Sequence, residues 1–250
     1  MLWLDEYERR ARLVPGLLAL LPIVIVLVVL GFRIDPASSM VPVVSLAGGP
    51  LVLAEIVRHK GKKAQENLWN SWGGAPTTLK LRLTEKGQNP LQRDAWRKAL
   101  FSVTGIDLAS SRSERANIGK ADHAIELAVG QIRELTRDKS KFPLVWVENR
   151  GYGFQRNLYG IRWVGRFISL AAILGLAAYM AWLASITDEP VFTKVNISAL
   201  AMNAVCLVSW LVLPSAQRVR QAADSYAYQL LQAAVALKNE VGSHMPGQHD

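Results

Sequence analysis

Four apolar runs, each long enough to cross a bilayer, limit what this chain can fold into. Leu13 to Phe32 spans 20 residues without an ionisable group, Val41 to Val57 carries only Glu55, and Phe167 to Ile186 and Val195 to Leu213 carry none. A membrane-crossing helix needs roughly 17 to 25 such residues. One run of this kind is compatible with a buried core, but four, each flanked by charge, point to four membrane helices arranged as two hairpins. The expected fold is therefore an all-α membrane protein, with a mainly helical polar insert and a C-terminal helix. Its expected divisions are 1–57 (leader and first hairpin), 58–166 (basic insert), 167–213 (second hairpin) and 214–250 (C-terminal helix and tail).

Charge is distributed as unevenly as hydrophobicity. Between Arg58 and Arg166 there are 21 basic and 10 acidic residues, an excess of 11, whereas the whole chain of 250 residues carries +9. Basic residues crowd the leader (Arg9, Arg10, Arg12), the exit of the second run (Arg58, Lys60, Lys62, Lys63), the entry of the third (Arg156, Arg162, Arg166) and the exit of the fourth (Arg218, Arg220). The short connections hold only Arg33 and Lys194. The positive-inside rule then places both termini and the insert in the cytoplasm, with the two short connections outside. The leader mixes Asp5, Glu6 and Glu8 with its arginines and is followed by no small-residue cleavage site, so it reads as retained rather than as a cleaved signal. The one cysteine, Cys206, lies inside the fourth run, which excludes an intrachain disulfide, and there is no Cys/His metal framework.

Local signals place the elements. Met1 to Arg12 reads as an amphipathic leader, Pro22 predicts a kink in the first helix, and Gly48-Gly49-Pro50 predicts an interruption in the second. Asp35-Pro36 and Ser38-Ser39 are turn signals in a short outer loop, and Glu55 has Arg58 within pairing distance. After Val57 the second helix continues, with Ala64, Leu68, Trp69 and Trp72 on one face, until Gly73-Gly74 and Pro76 stop it. In Thr77 to Leu83 the last five residues alternate apolar and basic as a short half-buried strand would, with a helix as the alternative. Asn89-Pro90 opens a helix over Leu91 to Val103, Gly105 to Ser113 is a loop, and Ser111 with Glu114 matches a capping box. Ile118, Ala121, Ile125, Ala128, Ile132 and Leu135 form a helical stripe, whose charged face accounts for Asp122, His123 and Glu126. Gly175, Ala177, Ala178, Ala181 and Ser185 favour close helix contact in the membrane. Val219, Ala223, Tyr226, Leu230, Ala233 and Leu237 form a second stripe, suited to a sister chain or to the insert.

Two clusters carry the chemistry of anion binding. In the first, Trp72 and the glycines precede the hydroxyls of Thr77 and Thr78 and the cations Lys80 and Arg82; glycine lets backbone approach a phosphate and the cations neutralise it. The Gly-Lys-Ser/Thr ending of a P-loop is missing, and a glycine-terminated helix with interfacial tryptophans explains the same residues. The second is Glu148-Asn149-Arg150-Gly151-Tyr152-Gly153-Phe154-Gln155-Arg156-Asn157. Arg150 and Arg156 suit phosphate, and Tyr152 and Phe154 suit a stacked base; a juxtamembrane collar of aromatics and arginines is the competing reading. No catalytic motif appears: there is no nucleophile elbow, no metalloprotease motif and no paired acidic motif. No cofactor or metal is implied, and the chain does not read as an enzyme.

Trp72 to Arg82 and Glu148 to Asn157, together with the helix order, resemble membrane proteins encoded beside nucleotidyltransferases in bacterial antiphage systems. The plan is similar to that of transmembrane effectors of CBASS-like or Hailong-like nucleotide-signalling defence. The resemblance implies a homo-oligomeric pore or channel controlled by a nucleotide or short oligonucleotide messenger, with a nucleotidyltransferase encoded nearby. A membrane scaffold that recruits a cytosolic protein is the alternative. In either case the insert faces the cytoplasm, so a cysteine introduced by Ser110→Cys is expected to resist labelling by an impermeant reagent in intact cells and to react after lysis. Labelling in intact cells would reverse the topology.

Overall fold

The computed structural model describes residues 5–31, 48–188 and 190–243. Within them the chain forms helices α1 (Glu6–Val29), α2 (Gly49–Trp72), α3 (Pro76–Leu81), α4 (Pro90–Thr104), α5 (Ser111–Ala116), α6 (Ile118–Leu135), α7 (Pro143–Gly160), α8 (Arg162–Ile186), α9 (Lys194–Val212) and α10 (Ala216–Ser243), and no strand. Three of them, α1, α8 and α9, are long and apolar enough to cross a membrane. The expected second span, Val41 to Val57, lies partly outside the described residues, as does the outer loop Phe32 to Met40. Gly48-Gly49-Pro50 stands at the described start of α2, with Gly48 in the left-handed region at φ +89°.

Packing divides the chain into two units. Unit 1 comprises residues 1–66 and 153–219, and unit 2 comprises residues 67–152 and 220–250. The chain passes from one to the other within α2, α7 and α10.

In unit 1 the apolar helices bury a seam rather than a whole surface. Leu176 and Met180 on α8 meet Val191 and Ala199, while Ala19, Val57, Leu158, Ile161 and Trp210 form a second cluster. The Trp210 indole lies so close to Gly165 that a Cβ there would collide with the ring. The neighbouring Arg166 donates from Nε to the Trp210 carbonyl at 3.1 Å. This guanidinium therefore satisfies a carbonyl that the end of α9 leaves without a helical partner. Outward-facing Trp163 and Trp182 are 65% and 57% exposed. Nineteen residues of α8 separate them, about 28 Å at the helical rise, which matches a hydrocarbon core of roughly 30 Å with an aromatic side chain at each border. Of the small residues expected to make close contacts, Gly175, Ala177, Ala178, Ala181 and Ser185 are all exposed; the packed small residues of α8 are Gly165, Ser169 and Ala172.

The start of α1 depends on one buried amide. Pro15 has no N–H to give the carbonyl four residues earlier, that of Ala11. Asn157 of α7, fully buried, donates from Nδ2 to that carbonyl at 2.7 Å. Residues Arg9–Leu13 form a π-helical turn around it. Backbone approach makes room for the amide: α7 and α2 cross where a Cβ on Gly160 would fall 2.7 Å from the Lys60 carbonyl and the Gly61 nitrogen. Pro22 is buried inside α1, and Glu55 pairs with Arg58 at 3.0 Å.

Unit 2 is built from amphipathic helices. Ala121, Ile125, Ala128, Val129 and Ile132 form the buried face of α6, whereas the stripe ends, Ile118 and Leu135, are about half exposed. The C-terminal stripe is used within unit 2: Ala223, Ala227, Leu230, Leu231 and Ala234 of α10 are almost fully buried. Within unit 2, Tyr226 stacks on Tyr152 and Tyr228 meets Trp96 edge-on. The expected strand at Thr77 to Leu83 is not formed. Pro76 starts the short helix α3 at its first position, and Thr77, Thr78, Leu79 and Leu81 are all buried, so the apparent alternation does not separate a wet face from a dry one. The lone strand also has no partner for its backbone groups, which a helix satisfies locally.

The expected capping box also resolves differently. Ser110, not Ser111, caps α5, accepting a hydrogen bond from the Ser113 N–H. Glu114 is fully buried and accepts from the Leu83 N–H at 2.9 Å, the Thr84 N–H at 2.9 Å and the Thr84 hydroxyl at 2.5 Å. Arg97 completes the knot, donating to the carbonyls of Leu81 and Ala109. Burial pushes the Glu114 carboxyl up, but the bonds from Thr84 and Leu83, with Arg97 nearby, outweigh it and hold the group below its ordinary 4.5. Its contribution to folding is thus complete above pH 4.5 and lost as pH falls through the lowered native value. Glu114→Ala is expected to strand two backbone donors, at about 1 to 3 kcal/mol each, and to flatten the acid limb of the stability curve. Thermal unfolding of detergent-purified protein followed by circular dichroism across that pH range checks both.

Candidate functional site

The end of α2 dictates the geometry of the first cluster. Helix α2 stops at Trp72 because Gly73 takes φ +82°, and Gly74, at φ +148°, turns the chain into Pro76 and α3. Those two values are open to glycine and strained for other residues. The turn carries Lys80 to Asp224 of α10, with Nζ 3.5 Å from Oδ1. The other oxygen of Asp224 accepts from Arg220 Nε at 2.9 Å. The Arg220 guanidinium in turn lies over the Trp72 ring, 4.8 Å from its centroid. Two cations thus share one carboxylate beside an indole face. Lys80, Trp72, Arg220 and Asp224 are all partly exposed. In α3, Thr78 is 2% exposed and its hydroxyl has no hydrogen-bond partner among the described residues.

Magnitudes separate this cluster from the cation two residues on. Arg82 holds Asp122 in a forked pair, Nε to Oδ1 at 2.8 Å and Nη2 to Oδ2 at 2.6 Å. Both side chains are largely buried, at 10% and 18% exposure. Removing one partner of such a pair costs roughly 3 to 5 kcal/mol, so Arg82 is committed to holding α6. A partly exposed pair is worth about 0 to 1 kcal/mol. Of the two pairs on Asp224, the one with Arg220, at 33% and 34% exposure, falls in that weak class, whereas the Lys80 side chain is 15% exposed.

The remaining residues of the expected site serve packing. Thr77 is buried beside Thr78. In unit 2, Arg150 lies over the Trp146 ring at 4.6 Å, and Tyr152 is buried against Tyr226. In unit 1, Phe154 packs on the Trp210 cluster, and Arg156 donates to Gln65 Oε1 at 2.9 Å and to Asn157. The segment Glu148 to Asn157 lies within α7, where its ten residues point around the whole helix. Of the nine residues expected to bind ligand, Trp72 and Lys80 are brought together, with Thr78 beside them in sequence. Arg220 and Asp224 were missed. They share α10 at i, i+4 spacing, which was the available signal, and nothing in the sequence pairs them with residues 140 positions earlier. Among the described residues no group of His, Cys, Asp and Glu is disposed to hold a metal ion.

No family model, curated protein or solved structure matches the chain.

The charge arithmetic of the cluster gives a signed prediction. Asp224→Asn removes the competing carboxylate and is expected to tighten binding of a labelled short oligonucleotide. Lys80→Gln and Arg220→Gln are each expected to weaken it about tenfold or more, as loss of a charge-assisted hydrogen bond would. Fluorescence anisotropy of the detergent-purified chain measures all three. Equal affinities across the set would remove the cluster as an anion site.

Proposed function

We propose that the chain is a membrane effector: a homo-oligomeric pore of a bacterial inner membrane, with termini and basic insert in the cytoplasm. A nucleotide or short oligonucleotide, bound at the Trp72 cluster, controls it in antiviral defence, with a nucleotidyltransferase as the source of the messenger. The observation that carries the reading is the pair of cations, Lys80 and Arg220, sharing the single carboxylate of Asp224 against an aromatic face. Phosphate suits the cations and a base suits the ring.

The membrane helices supply the second line of support. Asn203 of α9 is fully buried, and its amide donates to the Ala199 carbonyl while its own Oδ1 has no partner among the described residues. An unmatched amide oxygen inside an apolar bundle is costly, and water admitted along the bundle would satisfy it. Outside, Ala178, Ala181 and Ser185 lie exposed along α8 at helical spacing, the small-residue line that sister chains use to approach in lipid. Ligand energy moves such an assembly only by binding one of its states more tightly than the other. A scaffold for a cytosolic protein is the second reading, favoured by Leu127 and Leu135, which are exposed two turns apart on α6.

Liposomes loaded with a potassium-sensitive dye separate the two. The pore reading expects ion efflux from protein-containing vesicles that changes on adding a short oligonucleotide and that loses this response in Lys80→Gln/Arg220→Gln. Asn203→Leu is expected to insert normally and conduct several-fold less. Vesicles that stay tight with and without oligonucleotide would overturn the pore and leave the scaffold.

A further inference from the structure

Unit 1 contains a groove of about 340 Å³ that neither the pore nor its ligand site uses. Its walls are apolar: Leu21 of α1, Phe154 and Leu158 of α7, and Val205 of α9. Its lining also includes three polar side chains, those of Gln155, Ser209 and Arg218. Arg218 lies beyond the end of α9, in the first turn of α10, and its exposed guanidinium has no hydrogen-bond or ion-pair partner among the described residues. The volume sits at the small end of ligand sites, suited to a slender flexible occupant and too small for a folded segment.

We infer that the groove holds one acyl chain of an anionic phospholipid, with its phosphate on Arg218. Two observations choose this occupant. Most of the lining comes from α1, α9 and the C-terminal half of α7, and α1 and α9 are helices suited to spanning a membrane, so the solvent against the groove is lipid. The charge is also complementary: an unpaired cation stands beyond the end of α9, as an acidic headgroup at the membrane border requires. The pair Gln155 and Ser209 offers the donors that an ester or glycerol oxygen accepts. The inference needs the membrane spans but not the oligonucleotide-gated pore, so failure of one does not imply failure of the other.

Cys206, the only cysteine, lines the same groove and reports on its occupancy without background. In full-length protein in dodecyl maltoside, alkylation of Cys206 by N-ethylmaleimide is expected to slow at least fivefold on adding dioleoyl phosphatidylglycerol and to change little with dioleoyl phosphatidylcholine. Arg218→Gln, at an exposed position, is expected to abolish the difference between the lipids, and Arg218→Lys to restore most of it. Native mass spectrometry of the same samples is expected to retain one phosphatidylglycerol per wild-type chain and none in Arg218→Gln. Equal protection by both lipids, absence of retained phosphatidylglycerol, or lipid-independent protection that rises with protein concentration, as a second copy in the groove would give, overturns the inference.

Discussion

Unit 1 depends on the hydrogen bond from the Asn157 amide to the Ala11 carbonyl. A proline in the first turns of a membrane helix is tolerated only if the carbonyl it leaves behind finds a donor. Here that donor comes from a helix 146 residues further along the chain, fully buried at the crossing. A buried amide accepts few substitutes: an apolar side chain of similar size leaves the carbonyl bare, and a carboxylate brings charge instead of a donor. Asn157 thereby fixes the register of α1 against α7, and the absence of side chains at Gly61 and Gly160 is what admits it. The π-helical turn at Arg9–Leu13 is the local adjustment on the α1 side of the same contact.

Unit 2 meets the corresponding requirement with a carboxylate. Residues between α3 and α4 form no regular structure, so their backbone groups need partners from elsewhere. Glu114 supplies acceptors for two N–H groups, and Arg93 and Arg97 supply donors for the carbonyls of Leu81, Arg82 and Glu85. The basic character of the insert is therefore partly structural: Arg82, Arg93 and Arg97 hold backbone or an internal carboxylate. Formal charge therefore overstates how many of the insert's cations are uncommitted, since these three are held by the fold.

What could be read from the sequence follows from the range of each interaction. Apolar length marked α1, α8 and α9, helical periodicity marked α6 and α10, and Gly73-Gly74 with Pro76 marked the end of α2, because all three signals are local. Thr77 to Leu83 misled because a two-residue alternation is evidence for a strand only when one face is wet, and here both are buried. Glu114 was placed in a cap for the same reason: its spacing from Ser111 is visible, while Leu83 and Thr84, some 30 residues before it, are not. Residue chemistry alone grouped Arg150, Tyr152, Phe154 and Arg156, and the helix then split them between two faces, Arg150 with Phe154 and Tyr152 with Arg156. Of the candidate site, Trp72 and Lys80 were legible and Arg220 and Asp224 were not, since their meeting is a product of tertiary packing.

Segment Glu148 to Asn157 illustrates why short motifs can look like binding sites. Its glycines, aromatics and arginines have the composition of a phosphate and base site, yet each type has a separate packing use on α7. Gly153 gives room to the Tyr7 hydroxyl, Tyr152 stacks on Tyr226, Arg150 covers Trp146, and Asn157 serves Ala11. A helix crowded on several sides needs small residues at its crossings, flat rings at its contacts and long cations at its rims. The motif at Trp72 differs in one physical respect: the chain turns there, so residues adjacent in sequence are presented together instead of being spread around a helix. Convergence of unlike side chains on one point, rather than their composition, is what distinguishes the Trp72 cluster from the segment on α7.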